Sequence, residues 1–451
     1  MKLANQTFAR GENEAECARA ATVSTTPLQA TSPLTGRRAA MLQFSSYPKD
    51  PRPFRAAETL ARAGMSVDVI CLADAETPPG RDVLNGVRIR RLPIRHSRSS
   101  KLDYLCQYGA FIAASFALLT ARSLHRRYDL VHVHNMPDVL VFSALVPWLL
   151  GAKVILDLHD PMPELMMSIL QVPEDHRGVR LLKRLERYSA CFAHRVLTVN
   201  CKCQKIFTAR TCPPEKVTVI MNSPDEEIFA YRAFTGRTEV RENRPFVIMY
   251  HGSITERHGL DLAIEALATV RRTVPQAELR ISGSSTPFLE KVLSSIRGSD
   301  IAAAVHYLGP KSLEGIAEEI DRCDVGIIPN RRSIFTELNT PTRIFEFLAR
   351  GKPVIAPAAP GIQDYFSCAQ MLYFELGSAP ALARQLDYVF FHPEETQHIV
   401  AAGQSVYLSH LWTGERDRYI ATVSELLAHS SRQTMGAQRH CPLGGAKTSL
   451  E

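Results

Sequence analysis

Apolar and polar positions alternate along this chain in two registers. Short apolar runs at 39–45, 66–72, 87–92, 130–134, 153–158, 195–199 and 216–221 have the pattern of buried strands. Between them lie stretches with helical spacing at 53–63, 103–126, 138–150 and 177–192, the first and third stopped by Gly64 and Gly151. A polar run over 229–245, with Gly236 and Pro245, interrupts the pattern. It restarts with strands at 246–250, 277–281, 305–308, 325–329 and 354–356, and helices at 259–274, 289–297, 312–321 and 414–429. Repeated βα units with apolar strands predict parallel sheets covered on both faces. Two such sets predict an α/β chain of two Rossmann-like, doubly wound domains facing across a cleft. The expected organisation is a disordered tail at 1–36, a first domain at 37–232, a linker at 233–245 and a second domain at 246–405. A helix at 406–429 should pack back on the first domain, and a disordered tail follows at 430–451.

Composition narrows the class. A chain of 451 residues with 45% hydrophobic and 22% charged residues suits a multidomain globular protein. The longest apolar runs, 108–121 and 139–150, are shorter than the roughly 20 residues a spanning helix needs, and Ser115, Thr120 and Pro147 interrupt them. The first 36 residues lack the apolar core of a signal peptide. Ten cysteines without zinc-type spacing read as reduced thiols in a cytoplasmic protein. The net charge of +7 is concentrated: residues 37–130 hold 16 Lys+Arg against 8 Asp+Glu. Within that span Arg88, Arg90, Arg91, Arg95, Arg98 and Lys101 have few aromatic neighbours. This argues against base stacking, hence against nucleic acid, and favours peripheral contact with an anionic membrane through the first domain.

The richest segment runs from Thr340 to Ala356. Thr340 suits a helix N-cap and Pro341 the first helical position. Ile344, Phe345 and Leu348 form a buried stripe, Gly351 a left-handed C-terminal stop, and Pro353 a block to continuation. A helix N-terminus facing a cleft binds phosphate through its free N–H groups. One carboxylate, Glu346, stands on the same helix between Phe345 and Phe347, where it can accept from ribose hydroxyls. Ligands of such sheets sit at the carboxyl ends of strands, and the loops there hold further polar clusters. His251-Gly252-Ser253 leads to Arg257-His258-Gly259; Gly283 follows the next strand; His134-Asn135 and His159-Asp160, with Glu164 beyond, follow two strands of the first domain. Tyr47-Pro48-Lys49-Asp50-Pro51-Arg52 follows its first strand, without the glycine fingerprint of a dinucleotide site.

The segment Pro341-Thr342-Arg343-Ile344-Phe345-Glu346-Phe347-Leu348-Ala349-Arg350-Gly351-Lys352-Pro353-Val354 resembles the nucleotide-sugar site of GT-B glycosyltransferases of the retaining, family-4-like type. The resemblance implies that Glu346 holds the donor ribose. It also implies that Gly252, Ser253, Arg257 and His258 form the diphosphate loop, with Arg257 as its cation, and that Gly283 lies against the donor. His159-Asp160-Pro161-Met162-Pro163-Glu164 is similar to a segment of the same branch and implies that His159 meets the transferred hexose, with Asp160 and Glu164 orienting it. Tyr47, Asp50, Arg52, His134 and Asn135 would reach the acceptor side. The usual first glutamate of the paired signature falls at Leu338, with Glu337 one place out of register, so Asn339, Thr340, Pro341, Thr342 and Arg343 should hold the donor instead. The implied reaction moves a hexose from UDP- or GDP-sugar to a lipid-linked or polysaccharide acceptor, with retention, no cofactor and no metal. It would take place in the cytoplasm or on the inner face of the cytoplasmic membrane. The rival readings are a GT-B-fold UDP-sugar epimerase and a non-catalytic nucleotide-sugar-binding subunit or scaffold of a membrane glycan complex.

Overall fold

The computed structural model describes residues 33–94, 101–234 and 244–428, with the side chains of 101, 102 and 104 excluded. Residues 1–32 of the tail expected at 1–36, the tail expected at 430–451, most of the linker, and Arg95, Arg98 and the Lys101 side chain lie outside the described residues. Residues 33–36 depart from the expected tail. They form a turn, and Leu34 is fully buried in the first domain's core.

Strands β1 (Arg38–Ser46), β2 (Ser66–Leu72), β3 (Gly80–Leu84), β4 (Val87–Leu92), β5 (Leu130–His134), β6 (Lys153–Leu158), β7 (Arg195–Thr198) and β8 (Val217–Val219) form one sheet in the order β3-β4-β2-β1-β5-β6-β7-β8. It is parallel except for β3, which pairs antiparallel with β4. Strands β9 (Phe246–His251), β10 (Ala277–Ser282), β11 (Val305–Gly309), β12 (Val325–Ile327), β13 (Val354–Pro357) and β14 (Leu372–Phe374) form a second, parallel sheet in the order β11-β10-β9-β12-β13-β14. In both sheets the central strands are buried on both faces, which is why they read as continuous apolar runs.

Each sheet is sandwiched. On one face of the first, Phe111, Leu119, Leu140, Val141 and Ala190 pack against Leu42, Val133 and Leu156. On the other, Leu60 of helix Pro51–Arg62 shares a core with Tyr419, Val423 and Leu427 of the last helix, Trp412–Ala428. The chain therefore returns from the second domain to complete the first. Beneath the second sheet, Phe345 and Phe347 are fully buried, each the kind of side chain whose truncation to alanine costs about 3–5 kcal/mol. Helix Pro393–Leu408 braces that region: the Gln404 side-chain amide donates to the carbonyls of Leu348 (2.7 Å) and Arg232 (2.8 Å).

Two expectations change at the surface. The basic stretch after β3 is partly neutralised within the fold, because Arg88 pairs with Asp68 at 2.8 Å and the buried Arg91 with Asp82 at 2.9 Å. The helix Lys101–His125 contains a stretch, Leu105–His125, that by length and composition is long and apolar enough to cross a membrane. The apolar run 108–121, interrupted by Ser115 and Thr120, had been too short to suggest such a segment, which extends beyond that run at both ends.

Candidate functional site

The loops at the carboxyl ends of β1, β5, β6, β9 and β12 meet between the sheets. The Glu346 helix spans Thr342–Ala349. Its N-cap is Pro341, one position beyond the expected hydroxyl cap Thr340. The Thr340 hydroxyl instead donates to the carbonyl of Gly361 at 2.7 Å, a residue that sequence spacing does not reveal. The loop before the helix is also held from the first domain. Asn200 donates to the Leu338 carbonyl (3.0 Å) and to Thr340 Oγ1 (3.3 Å), while its oxygen caps helix Cys201–Arg210 through the N–H of Cys203. The N–H groups of Thr342 and Arg343, the first two helical positions, have no acceptor within the helix. Asn339 ends the preceding short helix, Ile334–Leu338, in extended geometry, and Glu337 is tied to Arg332 at 3.1 Å.

Glu346 lies one turn into the helix with little exposure. Burial pushes its carboxyl up to about 7, although Arg343 and Arg55 both favour the charged form. Arg55 belongs to helix Pro51–Arg62 of the first domain, stacks over Trp412, and donates to the Ser223 carbonyl. His251 Nε2 stands 3.3 Å from the Glu346 carboxylate. Burial, with the nearby Arg343 charge, lowers that imidazole to about 3 and keeps it neutral. Arg343 donates to the His251 carbonyl at 2.6 Å and covers the Tyr250 ring. Gly252 has φ of +109°, and a Cβ there would stand 3.3 Å from the Arg343 side chain, so glycine lets the chain turn beneath that guanidinium. Gly283 braces the same loop from below, where an added Cβ would come within 2.3 Å of the Gly252 carbonyl. Ser253 is exposed, and its carbonyl accepts from the Tyr250 hydroxyl. In the short turn Glu256–His258, Arg257 lies against Phe335. His258 hydrogen-bonds Thr255 at 2.9 Å, and burial with the charges of Arg343 and Arg257 lowers it to about 3, so it stays neutral beside them.

The first domain faces this with His159 and Asp160, both half-buried. Burial raises the Asp160 carboxyl, opposed first by His159 and then by Arg257 from across the cleft, while Asp50 adds to the rise. Asp50, His159, Asp160 and Arg257 therefore occupy one electrostatic neighbourhood. Asn135 positions this loop: its oxygen accepts from the His159 N–H (2.9 Å), and its amide donates to the Asp160 carbonyl (3.0 Å) and to Asp138 (3.1 Å).

Behind His159 sits a buried polar cluster. His134 Nδ1 bonds His159 Nε2 at 3.0 Å, and the His134 ring stacks on His132, centroids 4.2 Å apart. His132 in turn bonds the Tyr419 hydroxyl at 2.8 Å. Asp157 lies within 3.6 Å of all three imidazoles and receives both nitrogens of an Arg52 fork at 2.8 and 2.9 Å. Arg52 also donates to Asn222 and to the Ile220 carbonyl. His132, His134 and Asp157 bring possible ligand atoms within 4.8 Å of one another, a grouping that residue spacing did not show. The Asp157 charge is already answered there by the Arg52 guanidinium.

Several expected contacts are thereby reassigned. His134 and Arg52 are buried behind His159, where both contact Asp157. Tyr47 is fully buried against Phe54 and the first core, since its ring follows the apolar face of β1 inward. Glu164 is held by both terminal nitrogens of Arg210, which also pairs with the buried Glu186. Asn200, Arg55 and Asp157 were not singled out from sequence, and His251 was named only as the start of its loop. Only Asn200 carried a local signal, as an N-cap ahead of a helix.

Residues 52–223 match the glycosyl transferase 4-like domain and residues 245–390 match glycosyl transferases group 1. A probable glycosyltransferase of Pseudomonas aeruginosa, WbjE, is 23% identical over 315 residues, covering 66% of this chain and 74% of that protein. Sucrose-phosphate synthase from Thermosynechococcus elongatus superposes with a TM-score of 0.68 at 17% identity, over 87% of this chain and 100% of the other. Anabaena HepE in complex with UDP-glucose superposes with a TM-score of 0.65 at 17% identity, over 86% of this chain and 99% of the other. With these domains in this order and two parallel sheets facing across a cleft, the chain belongs to the GT-B group 1 glycosyltransferases.

Proposed function

We propose that the protein moves a hexose from a UDP- or GDP-sugar to a hydroxyl of a lipid-linked or polysaccharide acceptor, retaining the anomeric configuration and using arginine in place of a metal ion. We place this activity at the cytoplasmic face of the membrane. One observation carries the reading: His159 and Asp160 of the first domain share an electrostatic neighbourhood with Arg257 of the second. A sugar bound between them has its leaving diphosphate on the Arg257 side and its ring on the His159 side. Glu346 holds the ribose, and the N–H groups of Thr342 and Arg343 approach the phosphates. The bond from the anomeric carbon to the diphosphate breaks as the acceptor oxygen bonds that carbon on the same face, and the acceptor proton passes to the departing phosphate oxygen. Arg257 stabilises the charge that develops there, where a water-poor cleft strengthens the interaction. The relatives give support: one is named a probable glycosyltransferase and a structural neighbour binds UDP-glucose.

Calorimetry with UDP and GDP, then transfer from the matching sugar donor with NMR of the product anomer, tests the proposal. Micromolar binding of one nucleotide and a retained anomer are expected. Tight nucleotide binding without turnover on any lipid or glycan acceptor would overturn it in favour of a non-catalytic binding subunit.

A further inference from the structure

The helix Lys101–His125 is apolar but is not a core helix. Residues 104–121 contain no Asp, Glu, Lys or Arg, yet only 17% of its most apolar window is buried. The buried residues, Phe111, Ser115 and Leu119 among them, form one stripe that seats the helix on the first sheet. The helix therefore lies on the domain and does not stand free to cross a bilayer. Other faces of the helix turn outward, with Leu105 and Leu124 exposed by 66% and 70% and Phe116 by 37%. The neighbouring segment Asp138–Leu149 packs beside it and continues the surface with Phe142, Leu145 and Leu149, the last 67% exposed. Soluble surfaces rarely leave this many large apolar side chains contiguous and uncovered.

Charge indicates what covers them. Helix Arg177–Phe192 packs against the same segment, and its outer face carries Arg177, Arg180, Arg184 and Arg187, all exposed and spaced along one side. None of the four forms an ion pair among the described residues, and the acidic residue of that helix, Glu186, is buried inward. Arg126 and Arg127, also exposed, stand at the end of the apolar helix. An apolar stripe flanked by unpaired arginines is the composition of a helix lying in a lipid headgroup layer. The same helix also reaches the site, through its inner face. Tyr108 and Phe111 contact Phe44 at ring centroids of 4.5 and 5.3 Å, immediately before the Ser45–Asp50 loop at the cleft.

We propose that the outer faces of Lys101–His125 and Asp138–Leu149, with the arginines of Arg177–Phe192, seat the protein on an anionic phospholipid bilayer and turn the acceptor mouth of the cleft toward it. This deepens the proposed function and rests on it in one respect: the acceptor is amphiphilic, its lipid portion remaining in the bilayer while its head enters the cleft.

Flotation of the full chain with vesicles tests the surface. At low salt the protein should partition at least about tenfold more strongly into vesicles of phosphatidylglycerol and phosphatidylcholine than into phosphatidylcholine alone, with the preference weakening as salt rises. The variant Phe116→Glu/Leu124→Glu should lose partitioning by about tenfold or more while binding nucleotide as the parent does. Arg180→Gln/Arg184→Gln/Arg187→Gln should lose the preference for anionic lipid. Absence of parent binding to anionic vesicles overturns the proposal, as does unchanged partitioning of the first variant. If that variant instead converts a dimer to a monomer in sedimentation velocity with vesicle binding intact, the face is an interface between copies of the chain. Vesicle binding without nucleotide binding would sink the transferase reading and leave this surface standing.

Discussion

His134 and His159 share a hydrogen bond of 3.0 Å between Nδ1 of the first ring and Nε2 of the second. The two rings have unequal surroundings. Burial, then the adjacent His132, drives the His134 imidazole well below its usual range, so it is neutral at physiological pH. His159 is half-buried and opens onto the cleft. The shared bond fixes the orientation of the His159 ring, which in the proposed function leaves its Nδ1 for the sugar. His159→Ala should lower kcat by about a hundredfold with little change in donor affinity, the scale of one lost transition-state hydrogen bond. His134→Phe, which keeps the ring volume but loses the bond, should lower kcat about tenfold with KM unchanged. Steady-state kinetics with the donor varied decide the matter, and equal losses in affinity and turnover would assign His159 a structural role.

Glu346 should make donor binding pH-dependent. Its carboxyl titrates at about 7 in the free protein, against the ordinary 4.5. Ribose hydroxyls donate to a carboxylate, so binding favours the deprotonated form. Nucleotide affinity should therefore rise as pH increases from 6 to 8, and binding near pH 6.5 should release a proton, read as a dependence of calorimetric heat on buffer ionisation enthalpy. The stability sign is opposite. Between about 4.5 and 7 the folded state holds more protons than the unfolded state, so this group's contribution to stability falls as pH rises. Glu346→Ala should weaken nucleotide binding roughly 10- to 150-fold, the loss of a hydrogen bond to a charged group, and nearly abolish transfer. Glu346→Gln should remove the proton release.

How much of this was legible depended on the range of the interaction. Strands buried on both faces, such as β5 and β9, are continuous apolar runs and could be read directly. The edge strand β3 is mostly exposed and polar, so it has no such signature. Helices Ala379–Phe391 and Pro393–Leu408 follow one another with a single residue between them and were passed over despite a proline near each start. In the site, Glu346 and His159 were visible because their motifs are local. The roles of Thr340 and Arg52 were not, because each depends on a distant partner. Thr340 resembles a cap until Gly361 is brought against it, and Arg52 resembles an acceptor contact until Asp157, 105 residues away, takes its fork.

Arg257 is expected to act in the transition state. It faces Asp160 across the cleft from the turn Glu256–His258, the diphosphate loop of the proposed function. Arg257→Ala should lower kcat by about 10²–10³ while raising the donor KM only a few-fold. Arg257→Lys should recover the charge but not the planar fork, leaving about a tenfold deficit. If lysine restored full activity, point charge alone would suffice and two-oxygen recognition of the phosphate would be ruled out. Arg343→Gln supplies the contrast. Its guanidinium is committed to the His251 carbonyl and the Tyr250 ring, so its loss should disturb donor affinity more than turnover.

The Arg52–Asp157 pair holds the His159 loop from behind, and its effect should appear as stability. Asp157 is buried, yet Arg52, His159 and the two inner imidazoles together hold its carboxyl well below the usual range. Such a group contributes stability above its unfolded pKa that is lost as pH falls toward its folded one. His132 and His134, neutral in the fold because burial lowers them, add the same slope, since unfolding takes up protons below about 6.5. Chemical denaturation should therefore show stability declining from about pH 6.5 downward. Asp157→Asn should cost about 3–5 kcal/mol at neutral pH, because it leaves the Arg52 guanidinium buried without its carboxylate. Its acid slope should be shallower than the parent's. The double replacement Arg52→Met/Asp157→Leu removes both charges and should be less destabilising than the single one. If the double variant were instead the less stable, packing and the bonds from Arg52 to Asn222 and Ile220, and not the buried charge pair, would dominate this corner of the fold.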